Sequence, residues 1–262
     1  MYSKLNYEQY FIDTSNDYNH TGKARYEIEY KDVEYVYKGI VCHANYEVHY
    51  EDERDVIQIN FQETDGKIDW FVNFMFVDKY YDSFMYKGKL IQLRVHNGWA
   101  AMYKAVKHFV RNDFKDLYEK HPTAEVEVIG WSLGSGQAML CAQDLNYNFG
   151  IKCHLFTYGS VNPFKIKLFR GHRVKKYLRD CCKEVYNFSD MNDIVTYVPF
   201  RILGFIKIKR VNLDKFNFIG LFNPMKYHTL YDQRDLYLKI YKKESKKLLK
   251  ELKKEIKNWK DE

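Results

Sequence analysis

The spacing of apolar and polar residues changes several times along this chain, and each change predicts an element. Residues 26–37 are short and β-prone. Residues 47–50 alternate, 51–54 are polar enough for a turn, and 55–61 form a second strand, so an antiparallel hairpin feeds the main sheet. The aromatic run 68–76 predicts a short helix, and 79–89 a loop. Val95-His96-Asn97-Gly98-Trp99 opens a helix running to about residue 120, with Met102, Val106, Phe109 and Val110 along one side, until Pro122 and Thr123 break it. Residues 126–129 form a strand, a helix runs to about 145 before Gly150 stops it, and 152–158 form the next strand. Then come a basic helix over 171–180, a strand over 184–188, a hairpin over 205–217, a loop over 224–228 and a long Lys-rich helix from about 230. Helix and strand alternate through the middle of the chain, which predicts a mostly parallel central sheet with helices on both faces.

One stretch combines these signals with chemistry. Val126-Glu127-Val128-Ile129 leads into Gly130-Trp131-Ser132-Leu133-Gly134, and a helix-forming run, Gln137-Ala138-Met139-Leu140, follows. That is a strand, a sharp turn and a helix, with a serine at the turn. Glycines two residues either side of Ser132 remove side chains where strand and helix cross, so the turn can hold the serine in a strained conformation with its hydroxyl raised. The helix start beyond it offers free N–H groups to an anion.

Composition narrows the setting. A chain of 262 residues with 46% hydrophobic content fits one α/β domain spanning 1–262, with 1–24 as an N-terminal arm and 230–262 as a C-terminal helix. The net charge of +7 favours an anionic partner, although the excess of Lys and Tyr also fits an A/T-rich gene. The five cysteines have no metal-ligand spacing, and Cys181 and Cys182 are adjacent, which predicts a reduced chain. The first ten residues carry no apolar core of a signal peptide, and 202–222, the most apolar run, is interrupted by five charges, so a cytoplasmic protein is expected.

A serine nucleophile needs a base to accept its proton and a carboxylate to orient that base. In the strand–elbow–helix context the chain order is Ser, then Asp or Glu, then His. Beyond Ser132 the histidines are His154 in a strand, His172 at a helix start and His228 in a loop past the last hairpin. The order favours His228. Asp193, at a strand end, is the expected acid, and Asp190 is its neighbour and rival.

These motifs together resemble the class 3 (fungal-type) lipase family over about residues 55–228. Gly130-Trp131-Ser132-Leu133-Gly134 resembles the family's elbow, with Trp131 where His is usual. Val95-His96-Asn97-Gly98-Trp99 is similar to its Val-His-x-Gly-Phe helix start, and Phe156-Thr157-Tyr158-Gly159-Ser160-Val161 to its Thr-Phe-Gly-Ser-Pro turn. Asp193-Ile194-Val195-Thr196-Tyr197-Val198-Pro199 resembles Asp-x-Val-Pro-x-Leu-Pro, which singles out Asp193 over Asp190. His228 falls where the family keeps its catalytic histidine.

The resemblance implies an α/β-hydrolase fold and a serine hydrolase that cleaves carboxylic esters of acylglycerols or phospholipids. Ser132, Asp193 and His228 would be catalytic, and the backbone N–H groups of Thr64 and Leu133 would form the oxyanion hole. Trp70 and Phe71 on a lid helix, with Trp131, would contact substrate. No metal or cofactor is implied. Phe61-Gln62-Glu63-Thr64 departs from the family's Phe-Arg-Gly-Thr, setting a carboxylate beside the proposed hole. The alternative is a catalytically impaired lipase fold that binds lipid or protein. In the tail, Leu248, Leu252, Ile256 and Trp259 share one helical stripe among lysines, so the helix either packs on the domain or lies on an anionic membrane. Nucleic acid is not an expected partner, because the lysines gather in the tail and not beside an aromatic reading surface.

Overall fold

A computed structural model describes residues 29–37, 39–62, 78–166, 171–200, 203–206, 208, 211–212 and 228. The expected arm over 1–24, the helix over 68–76 with Trp70 and Phe71, the oxyanion candidate Thr64 with its neighbour Glu63, and the C-terminal helix lie outside these residues.

The chain enters as an antiparallel meander. Strand β1 (Lys31–Tyr37) pairs with β2 (Ile40–Glu51), a short 3-10 turn (Asp52–Arg54) follows, and β3 (Val56–Phe61) returns alongside β2. Next come β4 (Asp78–Tyr86), β5 (Lys89–His96) and the helix α1 (Asn97–Lys120). Strand β6 (Glu125–Trp131), helix α2 (Gly134–Phe149), strand β7 (Cys153–Tyr158) and the short strand β8 (Phe164–Lys165) follow. Helix α3 (Gly171–Asp180), β9 (Cys182–Ser189) and β10 (Val211–Asn212) complete the set. The main sheet runs β1-β2-β3-β6-β7-β9-β10, and every pairing from β3 onward is parallel. That is the mostly parallel α/β sheet expected, with the hairpin at its N-terminal edge.

Strands β3, β6 and β7 are buried almost throughout, and period-two alternation decides which face each residue joins. Ile57, Ile59 and Phe61 of β3, Val126 and Val128 of β6 and Leu155 of β7 join one core with Trp99, Met102, Tyr103, Val106, Val110 and Phe114 of α1 and with Ala138, Met139 and Leu140 of α2. The stripe on α1 recurs every three or four residues. Phe109, expected on that stripe, is 47% exposed, and Phe114, one turn further along the stripe from Val110, is buried instead. The two helices are locked by Asp144 of α2, which is buried and accepts hydrogen bonds from Tyr103 Oη (3.0 Å) and, in a fork, from Arg111 Nε and Nη2 (2.8 and 2.6 Å). Gly150 closes α2 in the left-handed conformation (φ 69°), where glycine carries no Cβ penalty.

Two expectations need correction. Residues 79–89, expected as a loop, belong mostly to β4, which forms a hairpin with β5 in a second, three-stranded sheet, β4-β5-β8. Its mixture of Tyr, Asp, Ser and Met hides the alternation, and the register is supplied by Ile91, Leu93 and Val95 across from it. Of residues 205–217, expected as a hairpin, Phe205 bridges Lys165 and β10 runs parallel to β9; 207, 209–210 and 213–217 lie outside the described residues. No helix among the described residues is long and apolar enough to cross a membrane.

Candidate active site

Strand β6 ends at Trp131 and α2 begins at Gly134, so the chain turns on Ser132 and Leu133. Ser132 has φ +48°, a left-handed conformation that costs an L-residue roughly 1–2 kcal/mol and persists only where the surroundings enforce it. The enforcement comes from close packing of the turn. A Cβ at Gly130 would lie 2.5 Å from the Gly134 carbonyl oxygen and 2.7 Å from Ala138 Cβ. A Cβ at Gly134 would strike the carbonyl oxygens of Phe61 and Gln62 at the end of β3. Only glycine at both positions lets strand and helix approach this closely. The turn is tied to β7 by the Ser132 N–H, which donates to the Tyr158 carbonyl (2.9 Å).

His228 Nε2 lies 2.8 Å from Ser132 Oγ, and His228 Nδ1 lies 2.9 Å from Asp193 Oδ2. The Asp193 side chain is wholly buried and that of His228 is 11% exposed, so little water competes for these contacts. Asp193 follows β9 and caps a 3-10 turn (Ile194–Tyr197), its Oδ1 accepting the Val195 N–H at 2.9 Å. With one oxygen held by its own turn, the other faces the imidazole. Asp190 Oδ1 accepts the backbone N–H of Asn192 (2.7 Å) and its side-chain amide (2.9 Å). Both aspartates hold turns through Oδ1, and Asp193 is the one whose Oδ2 meets His228. An imidazole donating from Nδ1 to Asp193 presents an Nε2 lone pair to the serine hydroxyl.

The start of α2 completes the geometry. No side chain caps the helix at Leu133, and among the described residues its N–H has no acceptor. The carbonyls of Ser132 and Leu133 are each held by two hydrogen bonds. Ser132 O accepts Ser135 N–H (3.1 Å) and Ser135 Oγ–H (2.5 Å), and Leu133 O accepts Gly136 N–H (3.0 Å) and the Trp99 indole N–H (3.0 Å). The indole lies on Gly136, where a Cβ would meet the ring. The loops that carry the acid and follow β7 are joined by Asn162, whose N–H donates to Val198 O (2.9 Å) and whose amide donates to Pro199 O (3.2 Å).

The sequence profile of the class 3 lipases matches residues 58–203, more than half of the chain. The chain belongs to the class 3 lipase family. No curated protein sequence matches it. Among solved structures, a Rhizomucor miehei lipase in complex with its propeptide is 22% identical, covering 72% of this chain and 55% of its own, with a TM-score of 0.58. Lipase II of Rhizopus niveus is 22% identical over 66% of this chain and 62% of its own (TM-score 0.54). A triacylglycerol lipase with a serine-protease-type triad at its catalytic centre is 20% identical over 81% of each chain (TM-score 0.59). These are likenesses of fold, an α/β hydrolase, and this chain spans little more than half the length of the first of them.

Within that family frame the remaining candidates fall in several places. Leu133 sits at the elbow as expected. Trp131, a departure from the family's histidine, is 6% exposed and stacks on Tyr158 (4.2 Å between centroids), which stacks in turn on Phe188 (5.2 Å). The three rings lie across the ends of β6, β7 and β9. His154 lies at the other end of β7, opposite Glu127, four residues before Tyr158, and does not reach the serine. Burial pushes its imidazole below the usual histidine range against the pull of Glu125 and Glu184. His172 lies in α3. Sequence reasoning gave no role to Ser135 or Asn162 and quoted Trp99 only as part of a helix start; the bonds Trp99 to Leu133 O, Val161 to Ser135 Oγ and Asn162 to Pro199 O join segments far apart in the chain. The one local signal was Ser135 itself, a polar residue inside an apolar helix start.

Proposed function

We propose that this protein hydrolyses carboxylic esters, acting as a lipase or phospholipase on acylglycerols or phospholipids, with Ser132 as nucleophile, His228 as base and Asp193 as the carboxylate that orients it. The reading rests on one observation, the continuous line of hydrogen-bonding atoms from Ser132 Oγ through His228 to Asp193 Oδ2 at 2.8 and 2.9 Å. Membership in the class 3 family supports it.

In this scheme Ser132 Oγ attacks the ester carbonyl carbon while its proton passes to His228 Nε2. The carbonyl π pair moves onto oxygen, and the N–H groups of Leu133 and Thr64 stabilise the anion. Collapse breaks the bond to the alkoxy oxygen, which leaves with the proton from His228. Water then attacks the acyl-enzyme, giving its proton to His228, and the carboxylic acid departs as Ser132 Oγ regains a proton. Asp193 keeps the imidazole in the tautomer this requires and stabilises its protonated form. Trp131, Trp70 and Phe71 are proposed contacts for the substrate.

Labelling with a fluorophosphonate probe, followed by a panel of nitrophenyl esters of increasing chain length, tests the reading. Absence of both labelling and turnover in the folded protein would overturn it. A cytoplasmic setting is part of the proposal, and the five free cysteines support it. Anionic membrane contact through 230–262 is a further part. Liposome co-sedimentation with and without residues after 241 tests it, and equal binding by the two forms would remove it.

A further inference from the structure

The geometry points to Ser135 as a positioning residue for the oxyanion donor, an inference that rests on the ester-hydrolase reading above. The donor in question, the Leu133 N–H, belongs to the same peptide unit as the Ser132 carbonyl. That peptide is trans and planar, so its C=O and N–H point in opposite directions from one rigid plane. Whatever holds the carbonyl therefore aims the N–H.

Ser135 holds it twice. Its N–H donates to Ser132 O at 3.1 Å, and its hydroxyl donates to the same oxygen at 2.5 Å. The hydroxyl is itself anchored, because Ser135 Oγ accepts the Val161 N–H at 3.2 Å from the loop after β7. Ser135 is fully buried, so no water substitutes for either contact. The backbone bond is what any helix start would provide. The hydroxyl is an addition particular to this side chain, and it links the elbow peptide to a separate loop.

The consequence is both geometric and electronic. Three hydrogen bonds, two into one carbonyl and one into the hydroxyl that serves it, resist rotation of the peptide plane. A carbonyl that accepts hydrogen bonds also polarises its peptide, which makes the opposite N–H a stronger donor. Both effects matter most when negative charge develops on the substrate oxygen and little when neutral substrate first binds. Ser135 touches no reacting atom; it acts through the Leu133 N–H.

The test compares the full-length wild type with Ser135→Ala and Ser135→Gly, each checked for folding by circular dichroism. Three quantities are measured: kcat and KM on a nitrophenyl ester, inhibition by a trifluoromethyl ketone, and inhibition by the non-hydrolysable ether analogue of the same ester. Removing an oxyanion donor outright costs about 10²–10³ in rate, so loosening one is expected to lower kcat about tenfold, with KM within about twofold. The ketone, which forms a tetrahedral oxyanion on the serine, should weaken by the same factor, and the ether should be unaffected. Equal weakening of ketone and ether, or kcat unchanged in a folded variant, overturns the inference while leaving the hydrolase reading intact. A wild type that neither turns over esters nor reacts with the ketone overturns the reading and this inference with it.

Discussion

Asp193 Oδ2 lies 2.9 Å from His228 Nδ1 although 35 residues separate the two in sequence. Asp190, three residues before Asp193, has its carboxylate on Asn192. The two aspartates should therefore respond differently to loss of charge. Asp193→Asn should lower kcat by roughly 10⁴, because the amide no longer enforces the right imidazole tautomer. Asp190→Asn should leave kcat within about tenfold and show its effect in thermal stability. Steady-state kinetics on both variants decide the matter, and a larger catalytic loss at Asp190 would reverse the assignment.

Ser132 combines a proposed chemical role with a strained backbone, φ +48°. Replacing it by alanine or glycine should abolish ester turnover, a loss of roughly a millionfold. The two variants should differ in stability. Glycine tolerates the left-handed conformation and alanine does not, so Ser132→Gly should be the more stable by about 1 kcal/mol. Denaturant melts of the pair measure this. Equal midpoints would mean that the turn stores no strain relievable by glycine.

Gly134 faces the carbonyl oxygens of Phe61 and Gln62, and backbone on that side cannot swing away as a side chain could. Gly134→Ala should destabilise the protein by about 1–3 kcal/mol, as overpacking in a close-packed interior does. The thermal midpoint should then fall by about 3–10 °C, and kcat should fall with it, because the end of β3 and the start of α2 are forced apart. A variant with unchanged midpoint and rate would show that the contact is looser than it looks.

His154 carries a pH prediction. Burial holds its imidazole below the usual histidine range, despite carboxylates of Glu125 and Glu184 at 3.5 and 3.4 Å. In the unfolded chain it titrates near about 6.5, so as pH falls the unfolded state takes up the proton first. Stability from this residue is thus fully present above about pH 6.5 and is lost as pH falls from there toward the lower folded value. His154→Gln should flatten the fall in thermal midpoint between about pH 7.5 and 5.5 relative to wild type. Parallel curves for the two proteins would remove His154 as the source.

Much of this protein is written locally. A β-branched run, two glycines around Ser132 and a helix-forming segment specify strand, turn and helix within fifteen residues, because the contacts that shape the elbow are made among those residues and the strand beside them. The hairpin of β2 and β3 and the start of α1 at His96-Asn97 were legible for the same reason, as was the stop at Gly150. Other features depend on which segments the sheet order brings together. Asp193 and Asp190 are the same residue type three positions apart; the motif around Asp193 favours it in the sequence, and only the fold shows which carboxylate oxygen meets His228. Strand β4 has too polar a pattern to announce itself and acquires its register from β5. Phe109 and Phe114 are equally apolar, and the neighbours of α1 decide which is buried. The bond from Val161 to the Ser135 hydroxyl exists because parallel pairing sets the end of β7 beside the elbow. Pattern and chain order determined the elements and the order of the reactive groups; tertiary structure decided which oxygen and nitrogen atoms meet, because hydrogen bonding depends on ångström-scale distances that residue spacing cannot supply.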